Sequence, residues 1–239
     1  MNRTFHLDGI GNINLIRNTR SKNLSISIKP FEGVKVNVPR SLSFRDAERF
    51  ILSKQNWIIR NVQKVKALEN GLTVFDHSTQ FHTREHQLEL RTHTANTLRI
   101  IIKGKFIFVY YPDYADVKDP RIQTAIRRGI EEAWRLEAKK YLPERVKLLA
   151  EKYGFTYNRI FVKNTKSRWG SCSHVNNINL NLHLMRLPQY LCDYIILHEL
   201  AHTVHKNHGR GFWKLLDKVS SGKARELSKE VGQYRINVW

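Results

Sequence analysis

The chain of 239 residues has only two cysteines, Cys172 and Cys192, too few for a disulfide framework or a four-thiolate zinc site. No apolar run approaches the roughly 18 residues a membrane span requires; Phe106–Tyr111, the greasiest stretch, has the length of a strand. The opening residues Met1-Asn2-Arg3-Thr4-Phe5-His6 lack the apolar core of a secretory signal. These absences predict a cytoplasmic protein without membrane contact. A glycine-rich phosphate loop and a carboxylate cluster suited to magnesium are also lacking near the chemically interesting residues. Acids are scarce, with 21 Asp+Glu against 41 Lys+Arg and a net charge of +20. Hydrophobic residues at 41% and charged residues at 26% are ordinary for a folded domain, which excludes disorder.

The excess positive charge is spread through the folded body. Before Ala115 stand 18 basic and 9 acidic residues, and from there on 23 and 12. One stretch is lopsided: between Lys152 and Leu216 the acids are Asp193 and Glu199, against nine Lys and Arg. A field of that sign concentrates anions, so nucleic acid, a nucleotide or an acidic protein is an expected partner.

Period-two alternation in Leu24–Ile28 and Val34–Val38, around Phe31-Glu32-Gly33, predicts a hairpin. Ser43-Phe44-Arg45-Asp46 resembles a helix-start box, and Ala47, Phe50, Ile51, Ile58, Val62 and Val65 continue at helical spacing to about Leu68 before Asn70-Gly71. Leu98–Ile102 and Phe106–Tyr110 predict a second hairpin. Past Pro112 the pattern turns helical. A long amphipathic helix is expected from Asp119-Pro120 to about Tyr153, with a candidate break at Leu142-Pro143. Two short strands, 159–162 and 178–182, flank a polar loop; a helix follows from Pro188, and a shorter one carries Phe212 to Val219. The expected fold is α+β: a β-rich N-terminal region with one helix, residues 1–115, then a mainly helical domain with a short sheet, residues 116–239.

His198-Glu199-Leu200-Ala201-His202 is H-E-x-x-H within a predicted apolar helix. Four residues amount to about 400° of rotation and about 6 Å of rise, so both imidazoles leave one face and can share a zinc ion. Glu199, beside the first ligand, is placed to take a proton from metal-bound water. A third ligand comes from downstream, either His208, where Gly209 lets the chain swing back, or His205, which would extend the same stripe on an unbroken helix. His208 is preferred, because one rigid helix seldom supplies a whole tetrahedral triad. His82-Thr83-Arg84-Glu85-His86 fits the inverted H-x-x-E-H pattern, yet no apolar helical face surrounds it, so it is read as a β connection.

Ser167-Arg168-Trp169-Gly170-Ser171-Cys172-Ser173, Ile178-Asn179-Leu180-Asn181, the H-E-x-x-H run, Asn207-His208-Gly209 and Phe212-Trp213 fall in an order that resembles the YgjP-like metallopeptidases. These are minimal zincin-like folds related in outline to SprT-like proteases. The resemblance implies one Zn2+ per chain on His198, His202 and His208, with Glu199 as general base. It also implies a polypeptide substrate, while SprT-like relatives act on proteins attached to DNA and nucleotide pyrophosphate hydrolysis is ascribed within the group.

The strand carrying Asn179 and Asn181 is expected to pair with an extended substrate, and Arg168 to hold a carboxylate or phosphate. Three functions compete on this site: a zinc peptidase, a zinc-dependent nucleotide pyrophosphohydrolase, and a non-enzymatic zinc-stabilised nucleic-acid-binding module. The last is disfavoured by Glu199, which binding does not need, and by a shortage of aromatic-plus-basic stripes.

Overall fold

A computed structural model describes residues 2–30, 32–69 and 72–236. Contacts divide the chain into two compact units, Met1–Asp76 with Ala115–Ala125, and His77–Tyr114 with Ile126–Trp239.

The first unit is a four-stranded sheet with two helices. Strands β1 (Asn2–Leu7), β2 (Gly11–Arg17), β3 (Ser25–Lys29) and β4 (Gly33–Val38) run in the order β1-β2-β4-β3. The expected hairpin is β3–β4, antiparallel with Ile26 opposite Val36. The β1–β2 hairpin, which the sequence reading missed, adds to it through a parallel β2–β4 pairing. Alternation buries Ile13, Leu15, Val34, Val36 and Val38 in one core with Ala47, Ile51 and Ile58.

The single expected helix is two, α1 (Phe44–Ser53) and α2 (Gln55–Glu69), separated at Lys54. The helix-start box is present: Ser43 Oγ accepts from the Asp46 N–H at 3.1 Å, and Asp46 Oδ2 from the Ser43 N–H at 2.8 Å. Phe31 and Asn70-Gly71, assigned above to a turn and a helix end, lie outside the described residues.

In the second unit, β5 (Gln87–His93), β6 (Arg99–Lys103) and β7 (Phe106–Pro112) form a sheet in the order β5-β7-β6. Helix α3 (Pro120–Tyr153) crosses the boundary between units after Ala125 and continues unbroken through Pro143. Leu142 and Val146, both fully buried, anchor it on either side of the proline.

Contacts group β5–β7 with α3 beyond Ala125. The reason is a close approach at Gly129, where a Cβ would lie 3.1 Å from Ile107 and 3.2 Å from Ile100. Only glycine lets the sheet's inner side chains lie so near the helix backbone.

The rest of this unit carries the site. Strands β8 (Ile160–Lys163), β9 (Gly170–Cys172) and β10 (Ile178–Asn181) form a second small sheet in the order β8-β10-β9. A 3-10 turn (Leu182–Arg186) leads to α4 (Gln189–Val204), α5 (Arg210–Val219) and α6 (Ala224–Val231), the last not anticipated from sequence. Burial of Leu191, Cys192, Tyr194, Ile195, Ile196, Leu197, Leu200 and Ala201 wraps most of α4, so it is a core helix. A paired Arg145–Asp193 contact, at 2.7 and 2.5 Å, ties it to α3.

Candidate metal centre

His198 and His202 leave α4 on one face, one turn apart, and both are half-buried. The helix stops at Val204: His205 is extended (φ −120°, ψ 107°). The stripe that an unbroken helix would have continued through His205 is therefore cut, and the His205 ring lies against Gly211, where a Cβ would come within 2.9 Å of it. His208, on the exposed loop before α5, swings back instead. Its Nε2 lies 3.1 Å from His198 Nε2 and 3.1 Å from His202 Nε2. Ligand atoms of these three histidines all fall within 4.8 Å of one another, and no other described His, Cys, Asp or Glu cluster does this.

The chemistry of the donors suits a metal ion. His202 Nδ1 lies 2.9 Å from the His205 carbonyl, which can only accept, so the proton sits on Nδ1 and a lone pair on Nε2. Burial, reinforced by His202 and His208, pushes the His198 imidazole down to about 4. Burial lowers His202 too, with His208 and Lys206 acting the same way and the His205 carbonyl opposing. Both shifts favour the neutral, lone-pair-bearing imidazole. Zinc–nitrogen bonds of about 2.0–2.1 Å at tetrahedral angles put ligand nitrogens roughly 3.4 Å apart, close to the observed spacings.

Phe212 is the floor of this cluster, a role the sequence reading did not assign. It is almost fully buried, stacks on His202 with centroids 4.5 Å apart and 26° between planes, and meets His198 and His208 edge-on at 4.9 and 4.7 Å. Its spacing with Leu216 and Val219 was the available signal, since that apolar stripe had to face α4.

Glu199 is 5% exposed, and no described residue donates a hydrogen bond to its carboxylate. Burial pushes it up to about 8, with the Arg168 charge opposing. Glu199 fits closely under β9, for a Cβ at Gly170 would lie 2.6 Å from its Oε1. Glycine is required there by proximity to the carboxylate.

The expected substrate strand needs correction. β10 is the middle strand, parallel to β8 on one side and antiparallel to β9 on the other, so it has no free edge. β8 and β9 are the two edge strands, and β9 is the one that lies against Glu199 through Gly170. Trp169 and Ser173 exchange backbone bonds with the β10 side, at 2.8 and 2.9 Å, so alternation turns the N–H and C=O groups of Gly170 and Cys172 toward the open edge beside Glu199.

Asn179 donates to the Ser171 carbonyl and hydroxyl within the sheet, at 3.4 and 3.3 Å. Asn181 is 1% exposed, beyond a substrate's reach. Its amide donates to the Thr165 and Arg168 carbonyls at 2.7 and 2.9 Å and accepts from the His183 N–H at 3.1 Å, so it fixes the loop that presents Arg168. The Arg168 side chain is exposed. Cys172 is half-buried, outside the ligand cluster, with Lys206 Nζ 3.9 Å from its sulfur.

Beside His208 opens a cleft of about 660 Å³, walled by Arg210, Trp213, Lys214, Asp217 and Arg225. The Arg225 guanidinium lies 3.6 Å over the Trp213 ring.

The family model for the YgjP-like metallopeptidase domain matches residues 22–231. This chain belongs to the YgjP-like metallopeptidase family. No curated protein matches it. Among solved structures, the YgjP-like chain is similar to the metallopeptidase zymogen of Pyrococcus abyssi, abylysin: 22% identity over 38% of this chain and 91% of that one, with a TM-score of 0.35. The zymogen of Methanocaldococcus jannaschii, jannalysin, is 27% identical over 38% of this chain and 93% of that one, with a TM-score of 0.34. Among the described residues no helix is long and apolar enough to cross a membrane.

Proposed function

We propose that this YgjP-like metallopeptidase is a cytoplasmic zinc peptidase holding one zinc ion on His198, His202 and His208. One observation carries the reading: three imidazole Nε2 atoms converge beside a buried carboxylate that no described residue hydrogen-bonds. When bound, zinc supplies Lewis acidity at the scissile carbonyl.

The chain's own residues do the rest. The open edge of β9 accepts the polypeptide as an added strand, which sets the scissile bond over Glu199. Glu199 takes the proton of the attacking water and passes it to the leaving amine. Burial raises its basicity, with the Arg168 charge opposing. The His205 carbonyl holds His202 in one tautomer and orientation, and Phe212 keeps all three rings from turning. The positive body of the chain favours proteins associated with nucleic acid as substrates.

A second reading rests on the cleft beside His208, where Arg210, Lys214 and Arg225 outnumber Asp217 and could neutralise the phosphates of a nucleotide. Mass-spectrometric product analysis separates the two, run on zinc-loaded protein beside a folded, metal-bearing Glu199→Gln control. The mixture holds an unstructured basic protein, with and without single-stranded DNA, and the four ribonucleoside triphosphates. Peptide fragments absent from the control are the expected result. Pyrophosphate and nucleoside monophosphate instead would replace the peptidase with a pyrophosphohydrolase.

A further inference from the structure

The sheet of β5, β6 and β7 has two faces of opposite character. Its inner face, with Leu88, Ile107, Val109 and Tyr111 buried, packs on α3 around Gly129. Alternation sends Phe106, Phe108 and Tyr110 of the central strand to the other face. There they form a row along β7, centroids 5.5 and 6.2 Å apart and planes tilted by 30° and 36°. Phe106 is 39% exposed, and the other two are half-buried. Burial in the core does not account for three aromatic rings on a solvent-facing sheet surface.

Cations bracket the row. In register, Arg99 of β6 lies opposite Tyr110 and Lys103 opposite Phe106, while Arg91 of β5 pairs with Tyr110. The Arg91 guanidinium sits 4.5 Å over the Phe108 ring, and Lys105 stands exposed in the turn beside Phe106. Glu89 is the one acid at a paired position on this face, and it accepts a hydrogen bond from Gln87 at 3.3 Å. The period-two run Phe106-Ile107-Phe108-Val109-Tyr110 reads in sequence as a strand alone, and its pairing with β5 and β6 assembles the aromatic-plus-basic stripe that the linear sequence lacks.

We propose that this outer face binds single-stranded nucleic acid, with bases stacked on Phe106, Phe108 and Tyr110 and phosphates held by Arg91, Arg99, Lys103 and Lys105. Exposed rings on a sheet surface stack successive bases without reading their identity, and flanking cations follow the backbone. A duplex keeps its bases stacked on each other and offers the rings nothing. A second copy of the chain would bring the same positive charge against this face, which disfavours self-association. The inference does not depend on hydrolysis at the metal centre.

The test is fluorescence anisotropy on full-length protein with a labelled 20-nucleotide oligothymidylate and a duplex of equal length, near physiological salt. Single-strand preference is expected. Phe108→Ala should lose roughly tenfold in affinity with an unchanged salt dependence. Lys103→Glu, an exposed charge change that leaves the core alone, should weaken binding and lower the logarithmic salt slope by about 0.7 or more. Thermal melts check that both variants fold. Equal affinity for duplex, or full affinity in the Phe108→Ala and Phe106→Ala variants, would overturn the proposal. So would an oligomer that dissociates in those variants without any binding of the oligonucleotide.

Discussion

The chain holds two segments of nearly the same letters, His82-Thr83-Arg84-Glu85-His86 and His198-Glu199-Leu200-Ala201-His202, and the fold uses them in opposite ways. In the first, His82, Glu85 and His86 form no ligand cluster among the described residues. His86 Nδ1 lies 2.7 Å from the buried Glu137 carboxylate, which also accepts from the Glu85 N–H at 3.1 Å and from the Thr83 hydroxyl. Glu85 reaches Lys140 at 3.1 Å, and His82 is exposed. Every strong donor around Glu137 is used to fix a connection. In the second, a core helix sends two imidazoles from one face and leaves Glu199 buried, with no hydrogen bond to its carboxylate from a described residue. Saturated polar groups hold a structure together, and unsaturated convergent ones are left for chemistry.

The largest expected effect separates the two glutamates. Glu199→Gln should lower turnover by roughly 10²–10⁴-fold with metal content unchanged, while Glu85→Gln leaves it intact. Steady-state rates beside metal analysis decide this, and loss of activity in both variants would erase the contrast.

The histidines give the next contrast. His208→Ala should weaken zinc by more than the roughly 10–100-fold cost of losing an outer-shell partner. His205→Ala, which keeps the carbonyl on His202, should cost little, and His86→Ala nothing. Competition with a chromophoric chelator ranks them. An effect of His205→Ala equal to that of His208→Ala would put the third ligand in doubt.

Glu137→Leu tests the saturated segment. Orphaning its donors should destabilise the fold by about 3 kcal/mol, with activity per folded molecule retained. Denaturant unfolding reads the first, and rates normalised to folded protein read the second.

The smallest effect concerns His183, a buried histidine outside the metal cluster. It is 3% exposed, 3.9 Å from Glu131 and edge-on to Trp134 at 5.7 Å. Burial, then Arg186 and Arg135, pushes it down to about 4. Its folded pKa lies below the unfolded value near 6.5, so the unfolded chain takes up the proton first. Stability is full above that value and falls as pH drops from about 6.5 toward about 4, by about 2 kcal/mol between pH 7 and pH 5. Melts across that range on the parent and on His183→Gln isolate the term, and an unchanged slope in the variant would remove it.

Much of this was legible in order along the chain. Period-two runs gave the β3–β4 and β6–β7 hairpins, and helical spacing gave α3, α4 and α5 within a few residues. The H-E-x-x-H spacing by itself put His198 and His202 on one face, and the turn after α4 made His208 an available third ligand. Sequence spacing did not reveal that β10 is sandwiched between β8 and β9, because strand order depends on pairings between distant segments. For the same reason the strand pattern predicts a substrate contact at Asn181, whereas its amide anchors a loop through partners 13 and 16 residues upstream.

The sequence determined by itself what covalent neighbours and local periodicity can fix: which residues alternate, which share a helix face, how much charge the body carries. The tertiary structure decided what becomes of each polar group. Whether a carboxylate ends as Glu137, surrounded by donors, or as Glu199, pressed beneath a glycine with none among the described residues, depends on what the rest of the chain packs against it.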